Sequence, residues 1–127
     1  RLVSRGLGDV YKRQVVYHAN YIKFFERARS EFLSDNKISQ SELKKNDQAF
    51  VIKSVNIKYI AAAELGDNIY VESEVEKKSN ARMIFNQKVI NCDNEKEYAI
   101  GVVEVCFINL VTKKPQKFPD DLLLIFD

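Results

Sequence analysis

Apolar residues recur at helical spacing early in the chain: Tyr21, Phe25, Ala28 and Phe32 stand at i, i+4, i+7 and i+11, while Lys23, Glu26, Arg27 and Ser30 fill another face. The spacing predicts one amphipathic helix over residues 20–33, with Asn20 as its N-cap. Tyr21, Ile22, Phe24 and Phe25 crowd its first turns. A face that aromatic must be buried along its length, and only a sheet offers a surface broad enough to receive it.

The second half of the chain supplies that sheet. From residue 49 onward the period changes to two. Val55, Ile57 and Tyr59 are set against Ser54, Asn56 and Lys58, and Ile69, Val71, Ser73 and Val75 alternate with Tyr70, Glu72, Glu74 and Glu76. Two further runs, residues 83–92 and 98–109, flank Asp93, Asn94, Glu95 and Lys96, a sequence suited to a hairpin loop. Leu65-Gly66-Asp67 and Lys78-Ser79-Asn80 mark the other turns. Connections this short favour antiparallel neighbours, so the expected class is α+β: one long helix against an antiparallel sheet of at least four strands. Residues 34–48 are expected to form a short helix or a returning loop, and the chain after residue 109 reads as a tail carrying Pro115 and Pro119.

A chain of 127 residues holds one domain, and its 46% hydrophobic and 30% charged content is that of an ordinary soluble protein. The formal charge of +2 is too small for a duplex-DNA binder. The pairs Lys44-Lys45, Lys77-Lys78 and Lys113-Lys114 solvate turns or hold a phosphorylated small molecule. Cys92 and Cys106 lie in apolar, strand-like runs and read as buried, reduced thiols. No apolar run has the length to span a bilayer, and the expected location is cytoplasmic. Residues 1–14 differ from the rest. They lack a sustained period, and the string SRGLGDVYKRQ resembles a translated adapter scar, so residues 1–14 are read as an atypical or artefactual segment ahead of a domain over residues 15–127. Gly6-Leu7-Gly8 is not read as a nucleotide loop, since no strand precedes it and no helix follows it directly.

His18 is the only histidine, and it stands just before the predicted helix start. The first N–H groups of a helix have no internal partner and carry the positive end of its dipole, so an oxyanion formed there is stabilised. A packing role for a histidine at a helix entrance is the competing reading.

The stretch VVYHANYIKFFERARSEFL resembles the signature of hotdog-fold thioesterases, in which Asp-x-x-Gly and VVYHxNY lead into a long helix ending in FxERARxEF. The segments FVIKSVNIKYIAAAELGDNIYVESEV, RMIFNQKVINCDNE and AIGVVEVCFINLVTKKPQKFP are similar to the same family, the 4-hydroxybenzoyl-CoA thioesterase-like proteins, and in particular to the branch associated with the Tol-Pal gene cluster. The resemblance implies a hotdog fold: a long central helix wrapped by a single antiparallel sheet of five strands, paired with a second subunit as a homodimer or homotetramer. It implies hydrolysis of an acyl-CoA with no cofactor or metal, the backbone N–H of His18 acting as oxyanion donor and its side chain helping to position the thioester. Tyr17, Asn20 and Tyr21 are then expected at the pocket mouth, with helix capping and core packing as their competing reading. Lys77, Lys78 and Arg82 are the candidates for the coenzyme phosphates, with Lys113, Lys114 and Lys117 as alternatives.

One departure stands out. The family carboxylate lies seven residues before this histidine, where the chain has Tyr11, and Arg13 and Gln14 stand where glycines are expected. Asp9 is two residues too early. Loss of a positioned general base costs about 10²- to 10⁴-fold, so impaired activity is expected of this chain. The rival readings are a non-catalytic acyl-thioester-binding module using the same groove and, less well matched around His18, a hotdog dehydratase. A single histidine rules out a two-histidine metal site, and no Gly-x-Ser-x-Gly elbow occurs.

Overall fold

The aromatic stripe forms the helix that its spacing predicts. In a computed structural model, which describes residues 2–5, 18–63 and 67–126, helix α1 (His18–Asp35) sinks Tyr21, Phe24, Phe25, Ala28, Phe32 and Leu33 into the core. The helix begins two residues before Asn20, which therefore lies inside the first turn and is not the N-cap. Its C-terminus closes on Lys37 in the left-handed region, at φ 64°. The Ile38 N–H donates to the Leu33 carbonyl at 2.9 Å and the Lys37 N–H to the Ser34 carbonyl at 3.0 Å. This is the double closure that satisfies orphan helix carbonyls, and Leu33 and Ile38 add the apolar contact that accompanies it. The polar stretch beyond it contains a short helix α2 (Gln40–Lys45), whose N-cap Ser39 accepts from the Glu42 N–H.

Five strands make one antiparallel sheet: β1 (Leu2–Arg5), β2 (Gln48–Tyr59), β3 (Ile69–Lys77), β4 (Arg82–Asn91) and β5 (Glu97–Asn109). Their order is β1-β3-β4-β5-β2. The two hairpins form at the expected turn residues. Asn91 Oδ1 accepts from the N–H groups of Asp93 and Asn94, and Glu95 takes a left-handed φ of 61° to return the chain into β5. Expected alternation is clearest in β3, where Ile69, Val71, Ser73 and Val75 are all buried. β2 departs from simple adjacency. It pairs with β5 and not with β3, so the segment after it crosses the sheet, and its side chains are exposed over most of its length because it is an edge. The turn residues Leu65 and Gly66 lie outside the described residues.

Three further expectations are corrected. Cys92 is exposed, because β4 ends at Asn91 and the residue falls in the turn; Cys106 is buried as expected. The chain after residue 109 is not a plain tail. Pro119 N-caps helix α3 (Asp120–Ile125), and Phe118 and Leu122 enter the core against Phe50 and Phe107. Pro119 starts a helix here because its fixed φ and missing N–H cost nothing at that position. Finally, a strand does precede Gly6-Leu7-Gly8: Leu2–Arg5 pair with β3 from Leu2↔Val75 to Arg5↔Glu72, over too few residues for a period to show.

The core has two parts along α1. Tyr21, Phe24, Phe25 and Ala28 meet Ile69, Val71, Val89, Tyr98 and Ala99, while Phe32 and Leu33 meet Val75, Met83, Phe85, Val103, Val105 and Phe107. Between them one transverse row of the sheet, Ser73, Gln87, Gly101 and Ile57, forms the seat of the helix. A side chain at Gly101 would put its Cβ 3.0 Å from the Phe25 ring, so the absence of one there lets the helix come down onto β5.

Candidate active site

Near its start, α1 is held by Tyr21. Tyr21 is fully buried; its hydroxyl donates to the Ala61 carbonyl at 3.3 Å and accepts from the Ala63 N–H at 3.1 Å, and its ring stacks on Tyr59 at 5.8 Å. The N–H groups of Ile60 and Ala61 both donate to the Tyr98 carbonyl. The segment after β2 is thereby drawn to the first turns of the helix. Tyr98 extends the network, donating to Asp67 Oδ2 at 2.9 Å and accepting from Asn91 Nδ2 at 2.9 Å. Burial raises the pKa of both phenols above the usual tyrosine value. Tyr21 is thus a clamp beneath the helix start, with no exposure to a pocket mouth in the single chain.

A second set of contacts fixes the middle of the helix. Gln87, fully buried on the inner face of β4, donates through Nε2 to the Phe25 carbonyl and to Ser73 Oγ, each at 3.0 Å, while its Oε1 accepts from Arg29 Nη1 at 2.9 Å. Burial presses the Arg29 guanidinium below its ordinary pKa, and Glu26 offsets part of that. Sequence reasoning missed this pair. The signal was there, since Ser73 and Gln87 are polar residues at inward positions of two otherwise apolar alternations and stand directly opposite in register.

On the opposite side of the sheet, Glu104 gathers three cations. Lys78 Nζ lies 2.8 Å from Oε1, and Lys53 Nζ and Arg82 Nη1 each lie 3.5 Å from Oε2. These bonds, the one from Lys78 foremost, hold the Glu104 carboxyl below the usual carboxylate range. Beside them is a groove of about 500 Å³ lined by Lys53, Ser79, Arg82, Cys106 and Lys113 among others. Lys78 and Arg82, named from sequence, are therefore brought together, and Lys113 from the alternative set joins them. Lys77 is not; it bonds Asn80 Oδ1 across the turn. Lys53 was not foreseen; the strand irregularity between Ile52 and Ser54 falls at its position. His18 and Asn20 stand in the first turn of α1, whereas Tyr17, Tyr11, Asp9, Arg13 and Gln14 lie outside the described residues.

The sequence model of the thioesterase-like superfamily matches residues 7–126. The chain belongs to this superfamily. Among curated relatives, the acyl-CoA thioester hydrolase YbgC of Escherichia coli O6:H1 is 32% identical over 112 residues, covering 88% of this chain and 83% of that protein. The acyl-CoA thioesterase YbgC of Haemophilus influenzae is 38% identical over 113 residues, covering 88% and 82%. Of solved structures, a 1,4-dihydroxy-2-naphthoyl-CoA thioesterase from Synechocystis superposes with a TM-score of 0.85 at 17% identity, over 98% of this chain and 93% of that one. A probable thioesterase from Bartonella henselae does so with a TM-score of 0.72 at 27% identity, over 93% and 97%. The expected hotdog-like thioesterase fold, an antiparallel sheet with a few helices, is therefore the one adopted, and the expectation of a thioesterase-family enzyme holds. Among the described residues, no helix is long and apolar enough to cross a membrane.

Proposed function

We propose that this chain hydrolyses an acyl-CoA thioester to a free acid and CoA at the start of α1, as a member of the 4-hydroxybenzoyl-CoA thioesterase-like, Tol-Pal-associated branch. The observation that carries the reading is that α1 begins at His18, the histidine of the VVYHANY motif. The backbone N–H of His18 is then among the unpartnered helix donors, and a thioester carbonyl set against it is polarised. Attack by water or a carboxylate forms a C–O bond at the carbonyl carbon and moves the pair of C=O electrons to oxygen. The helix N–H groups stabilise that oxyanion, and its collapse breaks the C–S bond, releasing the CoA thiolate to be protonated. The curated relatives named acyl-CoA thioesterases support this assignment. Other residues take supporting roles. The His18 side chain, Tyr17 and Asn20 shape the site, Tyr21 holds the helix start beneath it, and Lys78 and Arg82, with Lys53, offer the coenzyme phosphates a cation excess around a single carboxylate.

In this reading the sheet wraps α1 as a central helix, the family domain runs over residues 15–127, and residues 1–14 are an atypical lead-in whose Leu2–Arg5 extend the sheet. The Tyr11 position then lacks the base, and turnover falls by about 10²- to 10⁴-fold. A homodimer completes the assembly, and a tetramer of two such dimers extends it. β2 is a twelve-residue edge strand with Val51, Ile52, Val55 and Tyr59 exposed, an arrangement that a second copy covers by strand pairing. A cytoplasmic location accords with the reduced thiols.

The test is release of thiol from short, long and aromatic acyl-CoAs by the chain as it stands and by Tyr11→Asp combined with Arg13→Gly and Gln14→Gly. A gain of about a hundredfold or more is expected. A folded triple variant with no gain, which still binds a non-hydrolysable acyl-CoA analogue, would instead establish the binding-module reading that Tyr11 favours.

A further inference from the structure

A cavity of about 160 Å³ lies between the second half of α1 and the β2 side of the sheet. Its two ends differ. Leu33, Phe50, Met83, Phe85 and Val105 form an apolar floor, and Arg29 stands at the end toward the middle of the helix. The guanidinium is half-buried and set by its bond to the neutral Gln87 Oε1. Glu26, one turn back on α1, bears on its charge from the cavity rim, yet among the described residues no carboxylate stands within ion-pair distance of it. A desolvated guanidinium is costly without an anion, and its planar fork matches a carboxylate better than any neutral acceptor. An engineered apolar cavity of about 150 Å³ accepts benzene, so the cavity as a whole is of a size for a ligand of about six carbons.

We infer that this cavity is a binding site for a free medium-chain carboxylate, with the carboxylate on Arg29 and the hydrocarbon tail on the floor of Leu33, Phe50, Met83, Phe85 and Val105. The order of the groups selects a free acid over a thioester. Arg29 lies eleven residues beyond His18, about 16 Å along the helix, so a ligand with its charged end here is not using the helix start. The site is separate from the proposed catalytic one and does not depend on it. It extends that proposal only in taking the chemical class that thioester hydrolysis would release.

Met83 is the only methionine, so a ¹³C-methyl methionine label reports from the cavity floor as a single signal. Titration of the full chain with hexanoate is expected to shift that signal saturably. Hexanol, which has the tail without the charge, and acetate, which has the charge without the tail, are each expected to bind at least about tenfold more weakly. Arg29→Gln is expected to weaken hexanoate about tenfold while leaving hexanol unchanged, which also verifies that the cavity persists in the variant. Arg29→Lys is expected to retain part of the preference, and Ser30→Trp at the rim to abolish both shifts. Equal binding of hexanol and hexanoate, a hexanoate response indifferent to Arg29→Gln, or no response of Met83 to any of the three would each overturn the inference. None of these outcomes bears on thiol release, so the hydrolase reading stands or falls separately.

Discussion

Gln87→Leu isolates what the buried amide contributes, because leucine fills nearly the same volume and removes only the polar contacts. Three are lost: Arg29 Nη1 at 2.9 Å, Ser73 Oγ at 3.0 Å and the Phe25 carbonyl at 3.0 Å. They are unequal. The Phe25 carbonyl lies inside α1 and retains its helical donor, so its loss is small. Ser73 is left buried with a hydroxyl oxygen that has lost its donor, at about 1 kcal/mol. The Arg29 bond involves a charged donor in a desolvated position, and such bonds carry about 1.5–3 kcal/mol. The added apolar burial of leucine returns part of this, which leaves a destabilisation of about 2–4 kcal/mol. Against a total of about 5–15 kcal/mol, that is a large share. Urea unfolding followed by far-ultraviolet circular dichroism at fixed protein concentration is the assay, and with a slope of about 2 kcal/mol per molar the midpoint should fall by about 1–2 M. Gln87→Leu and Arg29→Met should also be non-additive by about 1 kcal/mol or more, since each removes the same bond. A loss below about 1 kcal/mol, or additive effects, would show that the amide does not anchor the helix.

The same geometry sets four other outcomes. Gly101→Val is expected to cost about 1–3 kcal/mol in the same urea assay, because its branches meet the Phe25 ring where a Cβ alone already stands at 3.0 Å. Ile52→Lys, on the outer edge strand, is expected to shift sedimentation toward the monomer if β2 pairs with a second copy. For Glu104 the folded pKa lies below the unfolded value, so its stabilisation is present above about pH 4.5 and is lost as pH falls through the lower folded value; Glu104→Gln should flatten that part of the stability–pH curve. Tyr21 and Tyr98 have the opposite sign. Their raised pKa favours the neutral phenol in the fold, so their contribution is full below about pH 10 and is lost as pH rises through the folded values, which a phenolate absorbance titration beside alkaline unfolding would detect.

What was legible in the chain is what repeats. The aromatic spacing of α1 and the alternation of β3 each recur over several turns or pleats, and burial acts on every repeat, so the pattern survives in the residues. What failed to show has a physical cause in each case. The edge position of β2 depends on which strand it pairs with, and its alternating Val55, Ile57 and Tyr59 read the same whether a face is covered by this chain or by another. Helix α3 has six residues, too few for a period, and its anchoring rests on Phe118 and Leu122 reaching a distant cluster. The cation set around Glu104 joins residues from β2, the β3–β4 turn and β4, and only the register of β5 between its two neighbours brings them together.

The row beneath Phe25 links these levels. Gly101 lacks a side chain so that the helix can descend, and Gln87, its register partner on β4, reaches up to the Phe25 carbonyl and out to Arg29. One row of the sheet therefore fixes both the height of α1 and its position along its axis. His18 lies seven residues, about 10 Å, before Phe25, so the placement of the helix start is inherited from this seat and from the Tyr21 clamp. A change at Gly101 or Gln87 should then act on any chemistry at the helix N-terminus without touching it, because a misplacement of about 1 Å is enough to lose about a hundredfold in rate. In a variant with the Tyr11→Asp repair, Gly101→Val should lower kcat more than it raises KM for the thioester. An unchanged kcat in a folded protein would mean that the helix start is positioned by something other than this row.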